Sequence, residues 1–519
     1  MAEAQLQQEE WKPNGSLAMI TIAVMLATFV EVLNTSIANV ALKTIAGSFS
    51  ISNDESLWII TIFLIASSIL LPATNWCCNV MGRKKFLLLC VAIFGISATV
   101  CGMATSFEMM IAGRIFQGLG GGCLLPLSQA ILLESYPKNE KAKAMAIFST
   151  GVTIAPIIGP ILGGWLTTNY SWNFVFFISL PFCIVAFIMI AMHVEDPPYI
   201  KPMGLHKMDY IGMMFLIVWI ATFQIMVDNG QKNGWFDSQY ICKLGITSLI
   251  ALIGLVWWEL KTDKPLIDLK IFKNWNFTFS TILLTILFAV AFGAIAILPQ
   301  FLQVICGYDS YLSGLAAGPQ GIGAFLGVAL TSMTAKKLEL RVQTVIGLII
   351  FSIGCLMFSQ LNLNISMANV VIPNIVVGIG MTSVIIPSTT LVFSTVSNAE
   401  MTNAASVQNL IKNVGCAVGT SSVGVFVSRY SQVYQNYLVD RLTPLNDAFA
   451  TKINTMTHVF ASFGHDIATS NAMAHIMTYK QLLQQSMLCA YMMSFKIYAL
   501  LILLVIPIAF VIKKVKFEG

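Results

Sequence analysis

Apolar runs of roughly twenty residues recur along almost the whole of this 519-residue sequence, and they leave few folds open. A run of that length spans a bilayer as an α-helix rising about 1.5 Å per residue. Bounded by charges or turn residues, the runs number fourteen: 17–42, 55–74, 85–105, 108–133, 142–166, 173–193, 208–228, 240–259, 276–300, 312–334, 342–360, 367–393, 402–428 and 490–512. Charged residues make up only 10% of the chain, less than half the share usual in soluble domains, so water is not the solvent for most of this surface. The pattern predicts an all-α polytopic membrane protein with 14 transmembrane helices and the lipid bilayer as its constant partner. A formal charge of +5 is too small to argue for nucleic acid.

The placement of Lys and Arg predicts topology. An even number of spans puts both termini on one side. The loops of that side carry Arg83-Lys84-Lys85, Lys138/Lys141/Lys143, Lys201/Lys207, Lys261/Lys264/Lys270/Lys273, Lys336/Lys337/Arg341 and Lys513/Lys514/Lys516. With Lys12 they hold 19 of the 29 basic residues, and the positive-inside rule then makes both termini cytoplasmic. Residues 1–16 are polar and acidic and lack the basic n-region of a secretory signal, so the first run reads as a retained helix.

The eleven cysteines form no CxxC pair, and most fall in expected spans. They read as small apolar packing residues. His458, His465 and His475 share one loop at spacings of seven and ten, which are not zinc-site spacings, so no metal is expected. No GxxxxGK[ST], HExxH or GxSxG string occurs, which argues against ATP hydrolysis and against an enzyme.

The chain divides naturally into a cytoplasmic tail (1–16), an N-terminal six-helix bundle (17–205), an inserted two-helix hairpin (206–270) and a C-terminal six-helix bundle (271–519). Within the last, the external stretch 429–489 is polar without being Gly/Ser-rich or charge-dense. It is expected to hold short amphipathic helices, as a plain structured loop or as a partner-docking surface.

Several polar residues sit where a membrane span should be apolar. Glu31, Asn34 and Thr35 share one face of the first run, at i, i+3 and i+4. A carboxylate at that depth costs several kcal/mol, so it is expected to face the protein interior or a wet cavity. Arg114 lies inside the fourth run, three residues before Gln117, and needs a partner there. Its role is either to tune the protonation of a carboxylate or to bond backbone carbonyls. In the thirteenth run, Gln408-Asn409-Leu-Ile-Lys412-Asn413 buries another cation, which lines a cavity, pairs with a carboxylate or snorkels to the surface. Gln129, Gln224 and Asp228 are weaker cavity candidates.

Four strings carry a resemblance. The fifth run, Gly151-Val-Thr-Ile-Ala-Pro156-Ile-Ile-Gly159-Pro160-Ile-Leu-Gly163-Gly164, resembles the antiporter motif of major facilitator superfamily drug exporters. Taken physically, two prolines four apart bend a helix, and GxxxG admits a close neighbour. Arg114-Ile-Phe-Gln117-Gly118-Leu-Gly120 resembles the superfamily's R-x-x-Q-G-x-G element. Glu31-Val-Leu-Asn34-Thr35-Ser-Ile-Ala-Asn39-Val-Ala-Leu42 resembles the L-D-x-T-x-x-N-V-A-[LI]-P signature of the fourteen-helix drug:proton antiporters, but Asn34 stands in the place of the aspartate and Lys43 in that of the proline. Gly82-Arg83-Lys84 matches the end of the family's G-x-L-x-D-R-x-G-R-[RK] loop, with Asn79 where the family has Asp. The usual charge latch lacks its acid there, and the basic cluster serves gating or topology.

The likeness extends along nearly the whole chain and is nearest to the EmrB-type branch. It implies a major facilitator fold in the bacterial inner membrane and proton-driven export of hydrophobic or amphipathic small molecules. It needs no cofactor beyond the proton gradient, and it implies an EmrA-type periplasmic adaptor and an outer-membrane channel as partners. With Asn34 uncharged, the proton falls to Glu31 one turn earlier, on which burial and a nearby Arg114 act in opposite senses. The bland alternative is a neutral, hydrogen-bonded structural Glu31. The rival functions are a narrow metabolite or siderophore exporter and a non-transporting sensor or scaffold.

Overall fold

The computed structural model describes residues 15–56, 58–137, 140–196, 209–262, 265–334, 338–363, 365–396, 400–443 and 445–514. Lys12, Lys138, Lys201, Lys207, Lys264, Lys336, Lys337 and Lys516 of the basic loops lie outside them. The first group of helices is α1 (Leu17–Phe49), α2 (Trp58–Leu70), α3 (Thr74–Met81), α4 (Arg83–Gly102), α5 (Phe107–Gly122), α6 (Leu124–Ser135), α7 (Lys141–Asn169) and α8 (Ser179–His193). A hairpin follows, α9 (Tyr210–Gly230) and α10 (Gln239–Lys261). The last group is α11 (Trp275–Gln300), α12 (Ser310–Ala317), α13 (Pro319–Thr334), α14 (Leu340–Phe358), α15 (Met367–Phe393), α16 (Met401–Val439), α17 (Asp447–Ser462) and α18 (Ile467–Val511). Among the described residues there is no strand.

Among those residues, twelve helical stretches are long and apolar enough to cross a membrane. The expected spans outside that set are 55–74 and 142–166. The first forms a helix of 13 residues, Trp58–Leu70, that stops before Thr74–Met81; the second lies inside Lys141–Asn169. Large apolar side chains face outward along the hairpin, with Ile246, Leu249, Ile250, Ile253, Trp257 and Leu260 all exposed. Such a surface suits lipid and would aggregate in water. All eleven cysteines are free.

Packing follows two groups. In the first, α1 lies on α7 and α8, α5 on α2 and α4, and α8 on α4. In the last, α15 lies on α13 and α14, while α11, α14 and α16 surround α18. Contacts between the groups run through α7 with α12 and α13, and through α16 with α2, α3 and α6. Below, the termini end is where α1 begins and α18 stops; the far end is opposite.

The stretch 429–489 corrects one expectation. In place of a loop with separate short helices, α16 runs on unbroken to Val439 and α18 starts at Ile467, giving helices of 39 and 45 residues with α17 between them. The reason is local: no Gly or Pro occurs over 425–443 or 467–506, and a helix once nucleated extends at small cost. Gly464, at φ 94°, makes the turn before α18 in a conformation that disfavours side-chain-bearing residues.

Candidate transport site

The proline-rich helix α7 fixes the position of α1. Pro160 has no N–H, so the Pro156 carbonyl loses its helical donor. The Ser36 hydroxyl on α1 donates to that carbonyl at 3.1 Å. The helices can approach this closely because residues 159 and 163 lack side chains. A Cβ on Gly159 would stand 2.7 Å from the Ser36 side chain, and one on Gly163 would stand 3.1 Å from Ile37. The same helix meets the second group on its other side, where a Cβ on Gly314 of α12 would lie 2.4 Å from the Pro160 carbonyl oxygen. Gly164 is buried in the same seam.

Arg114 is completely buried inside the first group. Its Nε donates to the Ile59 carbonyl at 2.8 Å, and its Nη1 donates to Asn34 Oδ1 at 2.9 Å and to Gln117 Oε1 at 2.8 Å. The guanidinium also lies over the Phe63 ring, 4.4 Å from its centre, while Nη2 has no hydrogen-bond partner among the described residues. Asn34 is held from behind, its Nδ2 donating to Ser179 Oγ at 3.1 Å. Of the two roles open to Arg114, the bond to a backbone carbonyl is present, and no contact with Glu31 is found among the described residues. All three acceptors are neutral, so they disperse the charge without cancelling it. The cause lies in the sequence, since residue 34 at the end of this contact is an amide.

Glu31 lies elsewhere, half-buried, with its Cγ 3.2 Å from where a Cβ on Gly121 would sit. Its carboxylate makes no hydrogen bond or ion pair among the described residues. Lys412 of the second group and Glu31 are within electrostatic reach of each other. Lys412 Nζ donates to Asn409 Oδ1 at 2.6 Å and stands 5.3 Å from the centre of the Phe288 ring. Asn409 Nδ2 donates across the seam to Gln129 Oε1 at 3.4 Å, and Asn413 Nδ2 donates to Ser68 Oγ at 3.5 Å. A polar layer therefore joins the two groups within the first third of α16. Thr35 is not part of it; its hydroxyl returns to the Glu31 carbonyl of its own helix at 3.0 Å.

At the termini end, Arg83 pairs with Glu134 of α6. Gly82, at φ 86°, turns the chain into α4, and the Asp196 carboxylate accepts from the Lys84 backbone N–H at 2.9 Å. An ion pair does form here, then, within the first group and on an acid other than the one missing at Asn79. Sequence reasoning missed Glu134 and Asp196, because neither belongs to the loop string. It also passed over Asn409 and Ser68. Asn409 had a signal, since it precedes Lys412 by three residues and so shares its helix face.

Comparisons with known proteins agree with this architecture. The Major Facilitator Superfamily profile matches residues 24–420. The chain is 32% identical over 443 residues to the multidrug export protein EmrB of Escherichia coli K12, covering 85% of this chain and 86% of that one. It is 32% identical over 445 residues to the fatty acid resistance protein FarB of Neisseria gonorrhoeae, covering 86% and 87%. Among solved structures, the human organic anion transporter MFSD10 (TETRAN) superposes with a TM-score of 0.58 at 11% identity, over 95% of this chain and 99% of that one. A bacterial homolog of the human lysosomal transporter Spinster, facing inward, gives 0.55 at 17% identity, over 95% and 98%. At such identities the structures speak for the fold alone. With the profile spanning most of its length, the chain belongs to the Major Facilitator Superfamily of membrane transporters.

Proposed function

We propose that this protein is a proton-coupled exporter of hydrophobic or amphipathic compounds, working as a secondary antiporter. Fourteen spans are arranged as two six-helix bundles, 17–205 and 271–519, around the inserted hairpin 206–270. The termini end faces the cytoplasm of a bacterium, and the far end faces outward. The likeness to multidrug export proteins over most of the chain supports the substrate class.

The observation that supports the mechanism is the carboxylate of Glu31 on one bundle, without a hydrogen bond or ion pair among the described residues, within electrostatic reach of Lys412 on the other, whose Asn409 partner bonds Gln129 across the seam. A carboxylate with no donor of its own is free to take up and release a proton, and its charge is felt across the seam that must open and close. Ionised Glu31 attracts Lys412 and draws the bundles together; protonation from outside removes that attraction. Substrate entering from the cytoplasm or inner leaflet favours the opposite state. Each ligand shifts the balance only by its differential affinity for the two states. Arg114 then acts at a distance, holding α1 in place through Asn34.

The helices running past the membrane from α16 to α18 support docking of an EmrA-type adaptor and, through it, an outer-membrane channel. If deleting 440–466 left co-purification with the adaptor intact, docking there would be excluded. A narrower reading, export of one class of amphipathic acid, is favoured by the equal likeness to the fatty acid resistance protein. Proton-driven uptake of a panel of dyes, fatty acids and metabolites into inside-out vesicles separates the readings. Broad uptake supports the first, uptake of acids alone supports the second, and none at all defeats both.

A further inference from the structure

The hairpin α9–α10 holds a carboxylate that the transport site does not use. Asp228 lies near the far end of α9, half-buried. Its Oδ2 accepts from the Thr61 hydroxyl of α2 at 2.5 Å, and its Oδ1 accepts from the Ser421 hydroxyl of α16 at 2.5 Å. Gln224, one turn back on α9, donates to both oxygens at 3.2 Å. One side chain thus joins a helix of the first bundle to a helix of the second, reaching residues 167 and 193 positions away in the chain. The joint is reinforced farther out, where Gln231 donates to Ser428 of α16 at 3.3 Å and accepts from Trp235 Nε1 at 3.1 Å. The second hairpin helix takes little part, since α10 packs chiefly on α9 and turns its apolar side chains outward. The hairpin's hydrogen bonds to both bundles therefore lie at the far end of α9.

The chemistry suits a latch. An ionised carboxylate is an acceptor on both oxygens, and here every neighbour in contact is a donor: two hydroxyls and an amide. Hydrogen bonds to a charged acceptor are roughly twice as strong as neutral ones, yet each here is a single bond that a tilt of a few ångströms would break. At the termini end of the same helices, α16 meets α3 and α6 without help from the hairpin.

We propose that Asp228 is a latch holding the far end of the two bundles together, released from Thr61 or Ser421 whenever that end opens. This rests on the two-bundle, alternating-access reading given above. The inserted hairpin then biases the resting transporter against opening outward.

Hydrogen–deuterium exchange on the full chain in lipid nanodiscs tests the latch without any substrate. Failure of the exporter reading would appear in vesicle uptake and not here. In Asp228→Asn, which keeps size but turns one acceptor into a donor, amide exchange over 58–62 and 418–430 should rise about tenfold, the effect of losing one hydrogen bond to a charged group. Exchange over 74–81 and 401–409 should fall, because opening one end closes the other. Thr61→Val and Ser421→Ala should each shift exchange the same way, and they carry the test if Asp228→Asn does not reach the membrane. A rise confined to 210–261, or no change in any variant, overturns the proposal.

Discussion

The Arg114 guanidinium reaches Asn34 at 2.9 Å and finds an amide oxygen there, so a fully buried cation is held by neutral groups alone. This contact makes a strong prediction. Asn34→Asp would give Arg114 a carboxylate at the same distance, and Ser179 can turn its hydroxyl to donate in place of accepting. That carboxylate would neutralise a buried cation that its neutral acceptors leave uncompensated, so the variant should melt at a higher temperature in detergent by intrinsic fluorescence. An unchanged or lower melting temperature would mean that Arg114 is already compensated.

Removing the cation should be far worse. Arg114→Ala strips donors from the Ile59 carbonyl, Asn34 and Gln117 at once, at about 1–3 kcal/mol for each buried group left unpaired. Arg114→Lys can satisfy one or two of them and should be intermediate. Protein abundance in the membrane, followed on immunoblots, should rank wild type, Lys, Ala in falling order. Equal abundance of the last two would show that the guanidinium's geometry is dispensable.

The α1–α7 seam makes a separate prediction. Ser36→Ala leaves the Pro156 carbonyl without a donor and should cost about 1–3 kcal/mol of thermal stability. Gly159→Val places a branched side chain where even a Cβ would stand 2.7 Å from Ser36 and should cost at least as much through overpacking, about 1–3 kcal/mol. Because the seam positions Glu31, transport per molecule should fall as well. Full transport by a stably inserted Gly159→Val would show that α1 tolerates displacement.

At the termini end, reversing the Arg83–Glu134 pair should restore what either single reversal breaks. Arg83→Glu and Glu134→Arg each place like charges together, while the double variant recovers the attraction. Transport in vesicles should be low, low and substantially recovered. Independent, additive losses would assign Arg83 to topology alone.

Much of this architecture could be read from the sequence, for a physical reason. Helices in lipid must be long and apolar, so spans such as 85–105 and 367–393 announce themselves, and the prolines and glycines of 156–164 mark a seam because a close neighbour explains them. What could not be read depends on partners remote in the chain. Nothing near Arg114 says that its acceptors are Asn34 and the Ile59 carbonyl, and Asp228 reveals no role until Thr61 and Ser421 stand beside it. The 39-residue run of α16 was hidden differently: the apolar stretch ends near residue 428, but no Gly or Pro follows to end the helix before Val439.

The displacement of the acid from position 34 to 31 makes its own prediction. In a Glu31→Gln background, Asn34→Asp puts a carboxylate back on the same face one turn later, beside Arg114. Proton-driven uptake into inside-out vesicles should return in part. No recovery, with the double variant stable in the membrane, would show that position 34 cannot serve in this chain.

Everything proposed for transport turns on Glu31 as carrier of the coupled proton. The sharpest measurement compares wild type with Glu31→Gln in proteoliposomes, following substrate movement under an imposed pH gradient and, separately, substrate binding without one. Glu31→Gln should bind substrate, sit in the membrane in normal amount, and show no gradient-driven accumulation. Accumulation at the wild-type rate under the same gradient would refute Glu31 as the proton carrier.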